Sequence, residues 1–270
     1  MITVDISGAY LHCHMDSEEY VLLEGVLVDL YVKADPSAID KIVTGSDGKR
    51  RLYTRMNKAL YGHMRSGRLF FEHISATLRD LGFKHNPDEL CIWNKDINGK
   101  QMTVVLYVEY LKVSFCDKKG LEFMRDLAVV YGDLDPKEGP VFDYCGITLD
   151  YGVKGVCKLS TPKYIDTAIL DFEKMNGGKV RRRAKTPAQA NLFNVRDNVT
   201  ALEEGKRKVF HSVFAHLLRV DVKTRPDILV ALSFLGKRTS KADLNDWDKL
   251  ERLLSYLQDT RNMPLSLGIE

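Results

Sequence analysis

The sequence predicts an α+β fold, with an antiparallel sheet that carries helices on one face. Short runs rich in valine, leucine, tyrosine and phenylalanine recur through the first 160 residues, as in Thr103 to Phe115. Two amphipathic helical patterns, Ser66 to Leu81 and Gly120 to Tyr131, are interleaved with these runs. Helical patterns then fill the last third of the chain, which predicts an all-helical C-terminal subdomain after the mixed part.

The N-terminal part reads as strands joined by tight turns. Ile2 to Ile6 is an apolar strand that ends at Ser7-Gly8, and Ala9 to Leu11 follows as a helical turn. The apolar or alternating runs Tyr20 to Leu23 and Val26 to Val32 are typical of an antiparallel ribbon. A turn-rich segment separates them from a further strand pattern at Arg51 to Thr54.

The C-terminal part begins with the strand patterns Val141 to Asp150 and Val156 to Ser160. Pro162 stands at a plausible first helical position, and the helix that follows is predicted to end at Gly177-Gly178. The polar, basic and aperiodic stretch to about residue 200 is predicted to be a linker. Three more helical patterns follow, at residues 203–220, 226–238 and 243–260.

Composition limits the classes of function. The 270 residues carry a net charge of only +3, so nucleic-acid binding would need local basic clusters rather than global charge. The candidate clusters are Lys49-Arg50-Arg51, Arg181 to Lys185 and Lys206-Arg207-Lys208, and each is more typical of an ordinary solvated surface than of a binding patch.

The cysteines and the apolar runs bear on localisation. The five cysteines are scattered and form no Cys-x-x-Cys motif, which argues against a zinc site or a disulfide framework. No apolar run approaches the roughly 20 residues that span a bilayer, and the N-terminus lacks the pattern of a signal peptide. We therefore expect an intracellular protein, cytoplasmic or nuclear, that is neither secreted nor membrane-bound.

Two carboxylates stand out as candidate site residues. Asp5 lies in an apolar strand, where a charge is costly unless it is paired or holds a cation. Glu109 and Tyr110 are predicted at the tip of the hairpin formed by Thr103 to Phe115. Taken alone, that hairpin is better explained as an ordinary core ribbon with a solvated tip.

The order of the motifs decides between these alternatives. Val4-Asp5-Ile6-Ser7-Gly8-Ala9-Tyr10-Leu11 comes first, then Lys58-Ala59-Leu60-Tyr61-Gly62, then Tyr107-Val108-Glu109-Tyr110-Leu111. The chain thus resembles the reverse transcriptase of copia-type LTR retrotransposons. Further matching segments are residues 68–69, 81–83, 144–149, 163–165, 210–213, 224–228 and 253–257. The resemblance runs essentially from end to end.

The resemblance implies a polymerase palm in which aspartates of a strand and of a hairpin tip hold two Mg²⁺ ions. Asp5, Glu109 and Tyr110 match the catalytic positions. Asp5, the Ile6 carbonyl and Glu109 match the metal ligands, and Mg²⁺ prefers such oxygen ligands with positions left open for phosphates. In this family the two ions support in-line phosphoryl transfer to the primer.

The same resemblance implies a nucleotide site and partners. Tyr10 matches the aromatic residue beneath the incoming sugar, and Gly62 and Arg65 match the segment that contacts nucleotide and template. The implied partners are an RNA or DNA primer-template, a dNTP and the rest of a transposon polyprotein. The hairpin at 143–151 would contact the primer.

The resemblance also implies a division into subdomains. Residues 1–160 would form the palm with partial fingers, 161–200 the start of the thumb and a linker, and 201–270 a helical thumb or connection-like subdomain. In the family, fingers strands precede the first aspartate strand and a ribonuclease H domain follows the helical region, so we expect both flanks to be absent here.

The departures from the family pattern fall at the centre of the expected site. The Tyr-Val-Asp-Asp-Leu box of the family reads Tyr107-Val108-Glu109-Tyr110-Leu111 here, so both aspartates are replaced. Arg65 stands where the family usually has glutamine, and Gly67 where it has proline or a small residue. The sequence therefore predicts a catalytically impaired polymerase, with a non-catalytic nucleic-acid-binding remnant or a relic without function as alternatives.

Overall fold

The computed structural model describes residues 1–115, 119–180, 183–196 and 199–268. Its contacts divide the chain into two compact units, Met1–Lys137 and Glu138–Glu270. The predicted subdomain boundaries at residues 160 and 200 concern functional parts of a polymerase, and they stay a prediction.

The first unit alternates strands with helices. Its helices are α1 (Val26–Ala34), α2 (Ser66–Asp80) and α3 (Lys119–Tyr131), and 3-10 helices lie at Ala9–His12 and Pro36–Lys41. Its strands are β1 (Ile2–Asp5), β2 (Tyr20–Glu24), β3 (Val43–Thr44), β4 (Arg50–Arg55), β5 (Lys84–His85), β6 (Ile92–Ile97), β7 (Lys100–Tyr107) and β8 (Tyr110–Ser114), and the two residues of β9 (Lys137–Glu138) span the boundary between the units along the chain.

Five strands of this unit form an antiparallel sheet in the order β5-β6-β7-β8-β1. Met102, Val104 and Leu106 alternate along β7 as buried residues, as expected for a strand with one face in the core. They share one hydrophobic cluster with Phe70 of α2 and Leu127 of α3. The predicted α+β class, the hairpin and both helices are confirmed.

The predicted ribbon at Val26 to Val32 is wrong, because this segment is helix α1. Gly25, with a φ of 59°, ends β2 and redirects the chain. In α1 Val28 is completely buried against Leu52 of β4 and Ala38, while Val26, Leu27 and Leu30 are largely exposed. Packing on the small sheet β2-β4-β3 therefore overrides the strand propensity of valine and leucine.

The second unit joins a small sheet to a helical core. Its helices are α4 (Pro162–Asn176), α5 (Glu204–Thr224), α6 (Leu229–Gly236) and α7 (Leu244–Asp259), with a 3-10 helix at Pro226–Ile228. Its strands are β10 (Val141–Tyr144), β11 (Ile147–Asp150), β12 (Val156–Ser160) and β13 (Leu265–Gly268), which form a sheet in that order.

The strand β13 corrects the prediction that the C-terminal third is all-helical. It pairs with β12 in antiparallel register, so that Cys157 faces Leu267. Four residues are too few for a strand periodicity to be distinguished from a loop. Pairing with the open edge of β12 satisfies backbone groups that would otherwise face water.

The helices of the second unit form a core of their own. Phe172 of α4 stacks on Trp247 of α7 with ring centroids 4.5 Å apart, and Phe210 of α5 is completely buried in the same cluster. The predicted linker is irregular, but it buries Val180 and Leu192 in this core, so it belongs to the packed unit. In the described part of the chain no helix is long and apolar enough to cross a membrane.

Candidate functional site

The two candidate carboxylates are brought together by the ladder between β1 and β8. Asp5 is the direct antiparallel partner of Tyr110, and the Ile6 amide donates to the Glu109 carbonyl at 3.1 Å. Asp5 ends β1, and Glu109 lies in the turn that immediately precedes β8, the strand that pairs with β1. Tyr110 is not at the hairpin tip as predicted, because Val108 and Glu109 form the turn and Tyr110 opens β8 opposite Tyr107.

The two acids influence each other electrostatically. Burial raises the pKa of Asp5 above its ordinary value. The pKa of Glu109 is raised first by burial and then by the negative charge of Asp5. Neighbouring acids titrate as a pair, so their repulsion raises the pKa of whichever carboxyl ionises second. The site therefore favours a cation or a proton between Asp5 and Glu109.

Two tyrosines lie beside this pair of acids. The rings of Tyr10 and Tyr61 have centroids 4.4 Å apart, with 37° between their planes. Burial and then the charge of Glu109 raise the pKa of both phenols. Tyr61 lies in the predicted motif Lys58 to Gly62 but was missed as a site residue. Its proximity to Tyr10 depends on the tertiary fold, and the motif gives no other signal of it.

The segment around Gly62 is fixed to α2 by a specific hydrogen bond. The Ser66 hydroxyl donates to the Leu60 carbonyl at 2.6 Å, and Gly62 adopts a φ of 90°, which favours glycine. A side chain at Gly67 would first meet the Tyr10 hydroxyl, at 3.9 Å from its Cβ. This is an ordinary van der Waals distance, so a small side chain at position 67 fits beside Tyr10.

Arg65 is held in a network of acids and hydroxyls. Its guanidinium donates to the Ser17 hydroxyl at 2.5 Å and to Asp16 at 3.2 Å, with Glu19 at 3.4 Å. His63 contacts the other oxygen of Glu19 at 2.5 Å. The roles of Tyr10, Gly62 and Arg65 in nucleotide binding stay predictions, and Arg65 would have to exchange these partners to reach a ligand.

The basic clusters proposed from the sequence are only partly described. Arg181 and Arg182 lie outside the described residues. Lys208 forms an ion pair with Glu204 at 2.7 Å, and Lys206 lies 5.5 Å from the ring centroid of Trp247.

Comparison with known proteins identifies the family. A family model described as "Reverse transcriptase (RNA-dependent DNA polymerase)" matches residues 1–183. The chain belongs to this family. This reverse transcriptase chain is 24% identical to the retrovirus-related Pol polyprotein from transposon TNT 1-94 of Nicotiana tabacum, over 98% of the chain and 19% of that protein. It therefore spans less than a fifth of that polyprotein.

A second relative has a similar level of identity. The putative transposon Ty5-1 protein of Saccharomyces cerevisiae is 24% identical over 97% of the reverse transcriptase chain and 77% of its own length. These relatives confirm the resemblance to copia-type elements. A solved telomerase from Candida albicans aligns over 95% of this chain and 45% of its own with a TM-score of 0.31 at 10% identity, which is too low to support an inference.

Within the described residues no three His, Cys, Asp or Glu side chains are grouped to hold a metal ion, so a Mg²⁺ ion at this site would have at most two carboxylates. Asp5 and Glu109 supply carboxylates, and the Ile6 carbonyl, which accepts from the Ala9 amide at 3.1 Å, keeps a second lone pair. Mg²⁺ commonly takes one or two carboxylates and leaves its other positions to water and phosphates. Tyr110 supplies no carboxylate, so the set does not fit the two ions that the resemblance implies.

Proposed function

We propose that this chain is the polymerase part of a transposon polyprotein and that its nucleotidyl-transfer activity is impaired at the metal centre. The observation that carries the proposal is the register of β1 and β8, which puts the phenol of Tyr110 opposite Asp5. The expected substrates are a primer-template of RNA or DNA and a dNTP.

Two changes lower the expected rate. Glu109 keeps a carboxylate but adds a methylene, which shifts its oxygens relative to the tight octahedral geometry of Mg²⁺. Tyr110 removes a carboxylate outright. Losing one metal carboxylate raises the barrier by on the order of 3–5 kcal/mol, which is a rate decrease of about 10²- to 10⁴-fold. When bound, Mg²⁺ would stabilise charge on the transferred phosphoryl group.

Each retained residue has a definite part in this proposal. Asp5 and Glu109 would hold the one cation, and their raised pKa values favour its binding over two bare negative charges. Tyr10, braced by Tyr61, would lie beneath the incoming sugar and orient it. Orientation alone contributes to catalysis, so a small residual rate is expected.

A primer-extension assay tests the proposal. Wild-type chain is expected to extend a primed RNA template at or near background with Mg²⁺. Tyr110→Asp combined with Glu109→Asp is expected to stay near background by itself and to gain activity when the fingers strands that the family places before the first aspartate strand are supplied as well. Asp5→Asn in the double variant is the matched control, since it removes the carboxylate that both designs share. Robust Mg²⁺-dependent extension by the wild type would overturn the proposed impairment.

A second candidate function is nucleic-acid binding without catalysis. Three tyrosines around the same site are largely exposed, namely Tyr61 at 53%, Tyr107 at 58% and Tyr110 at 40%. Exposed aromatic rings are sequence-tolerant platforms for unpaired bases. Binding of a primer-template by the wild type without divalent ions, and its loss in Tyr107→Ala and Tyr110→Ala, would favour this function over a relic that binds nothing.

A further inference from the structure

A small polar cavity lies in the second unit, between residues 187–196 and helix α7. Its volume is about 200 Å³. The charged side chains on its wall are Arg196, Asp248, Lys249 and Arg252, and amide side chains are supplied by Gln189, Asn191 and Asn245. Among the described residues, three cations therefore meet one carboxylate around this space.

Arg252 presents a buried donor without an acceptor. Its Nε is buried and forms no hydrogen bond with any residue that the structure describes. One of its terminal nitrogens donates to the Thr186 hydroxyl at 3.0 Å. A buried donor left unpaired is costly, and the guanidinium fork is shaped to bind two oxygens of one anion. Arg252 thus lines the cavity and carries a guanidinium donor that the described residues leave unpaired.

The electrostatics of Lys249 show how closely the cations converge. Burial is the main cause that lowers the pKa of Lys249, while Asp246 and Asp243 oppose the decrease. The positive charges of Arg238 and Arg196 lower this pKa further. Arg196 is therefore near enough to repel Lys249, and an anion between them would relieve the repulsion.

The nearby buried acids bind Arg238 as well as facing Lys249 of the cavity wall. Arg238 donates to Asp246 at 2.8 Å and to Asp243 at 3.3 Å, and these two acids also form the capping box of α7. Within the described ranges, neither Arg196 nor Arg252 forms an ion pair, although Asp248 precedes Arg252 by one helical turn. Among the described residues, Asp246 therefore compensates Lys249, which lies 3.8 Å from it, while the charges of Arg196 and Arg252 have no ion-pair partner.

We infer that this cavity binds a phosphate group, with Arg196 and Arg252 as its principal donors. Arginine pairs with the oxygens of phosphate through parallel hydrogen bonds, and Lys249 adds a fixed charge. At about 30 Å³ for each water, the space holds about seven waters, which suits one or two phosphate groups rather than a duplex. The phosphate could be free, or it could be the terminal group of a nucleic acid.

Calorimetric titration of the full chain with inorganic phosphate and with pyrophosphate tests the inference, against chloride at matched ionic strength. We expect binding by the wild type and an affinity about tenfold to hundredfold lower in Arg196→Gln and in Arg252→Gln, since each removes a charged hydrogen bond. Lys237→Gln is the matched control, because it removes an exposed charge of the same unit outside the cavity wall.

A folding control and a comparison of two oligonucleotides complete the experiment. Circular dichroism and urea unfolding without phosphate show whether Arg252→Gln is folded, and the exposed Arg196 provides a second variant if it is not. Oligonucleotides with a 5′-phosphate or a 5′-hydroxyl distinguish the two sources of phosphate. No phosphate binding by the wild type at millimolar concentration, or equal losses in Arg196→Gln and Lys237→Gln, would overturn the inference. Neither result bears on the polymerase site.

Discussion

Asp5 and Tyr110 are direct cross-strand partners in the sheet of the first unit. Directly paired residues of an antiparallel sheet project from the same face, with Cβ atoms about 4.5–5.5 Å apart. The phenol therefore stands beside the first carboxylate, in the region where the family pattern has its second hairpin aspartate. The proposed metal centre can therefore be tested by a substitution at Tyr110 alone.

Tyr110→Asp is expected to increase the response of stability to Mg²⁺. The new carboxylate should lower the unfolding free energy without divalent ions, because it repels Asp5 and Glu109. Added Mg²⁺ should then raise the melting temperature, since a ligand at about 100 times its Kd adds about 2.7 kcal/mol. Scanning calorimetry at constant ionic strength measures this. Tyr107→Asp is the control on the same hairpin, and an equal response in wild type, control and Tyr110→Asp would contradict the prediction.

Glu109→Gln is expected to stabilise the fold at neutral pH. Burial and the charge of Asp5 raise the pKa of Glu109 above its ordinary value of 4.5. The folded state thus binds this proton more tightly than the unfolded state, so wild-type stability falls as pH rises through the interval between the two pKa values. The advantage of the variant should be present at pH 7 and disappear below pH 4.5.

Urea unfolding across this pH range measures the effect. Asp5→Asn provides the matched comparison, because it removes the repulsion and should lower the pKa of Glu109 as followed by carboxyl NMR. If the difference in unfolding free energy between Glu109→Gln and wild type does not change with pH, the pKa of Glu109 is not raised by folding and the prediction fails.

Arg225→Met is expected to destabilise the second unit by about 3 kcal/mol or more, because it leaves a partly buried carboxylate without its partner. Arg225 is 1% exposed and binds both oxygens of Asp227, at 2.9 and 2.8 Å. Arg261→Met is the control, since Arg261 pairs with Asp166 at the surface and its loss should cost less than about 1 kcal/mol. Similar losses in the urea unfolding free energy of both variants would refute the conclusion that the buried Arg225 stabilises the second unit more than the surface Arg261 does.

The Asp227 carboxyl adds a pH dependence to the same site. Burial alone would raise its pKa, but hydrogen bonds from Arg225 and Tyr256 lower it overall. The ionised Asp227 carboxylate therefore stabilises the folded state above the ordinary aspartate pKa, and this stabilisation is lost as pH falls through the lowered pKa of Asp227. Asp227→Asn should therefore flatten the acid limb of the stability profile measured by urea unfolding, whereas a profile parallel to wild type would contradict this.

Val108→Asn is expected to raise stability by about 0.5–1 kcal/mol, because a β-branched residue is strained in the left-handed region and asparagine tolerates it. Val108 has a φ of 54° in the turn before Glu109. Thermal unfolding measures the gain. Val105→Asn, within β7, is the control and should destabilise. A loss of stability in Val108→Asn would show that the valine side chain itself stabilises the turn.

If the first unit binds nucleic acid, its affinity should fall steeply as the salt concentration rises. In a plot of the logarithm of the binding constant against the logarithm of the salt concentration, each contacted phosphate should contribute about −1 to the slope. Tyr107→Ala and Tyr110→Ala should weaken binding through lost stacking, by about 1–3 kcal/mol per base, while the slope stays unchanged. Fluorescence anisotropy at several salt concentrations measures both quantities. Binding that is indifferent to salt would exclude a phosphate-tracking surface.

The amino-acid sequence by itself determined the local elements and the family. The hairpin β7-β8, helices α2 and α3 and the end of α4 at Gly177 follow from short-range periodicity and glycine placement. The motif around Asp5 and the altered box at Glu109 and Tyr110 are readable without coordinates. These features depend on neighbours in sequence, which is why pattern alone predicts them.

Tertiary structure decided what depends on partners far apart in the chain. It made Val26–Ala34 a helix, since packing on β4 outweighs strand propensity, and it placed β13 on the edge of β12. It also set the register that puts Asp5 opposite Tyr110, and with it the repulsion that raises the pKa of Glu109. Register and burial are properties of the folded chain, because each is fixed by contacts that no local sequence pattern encodes.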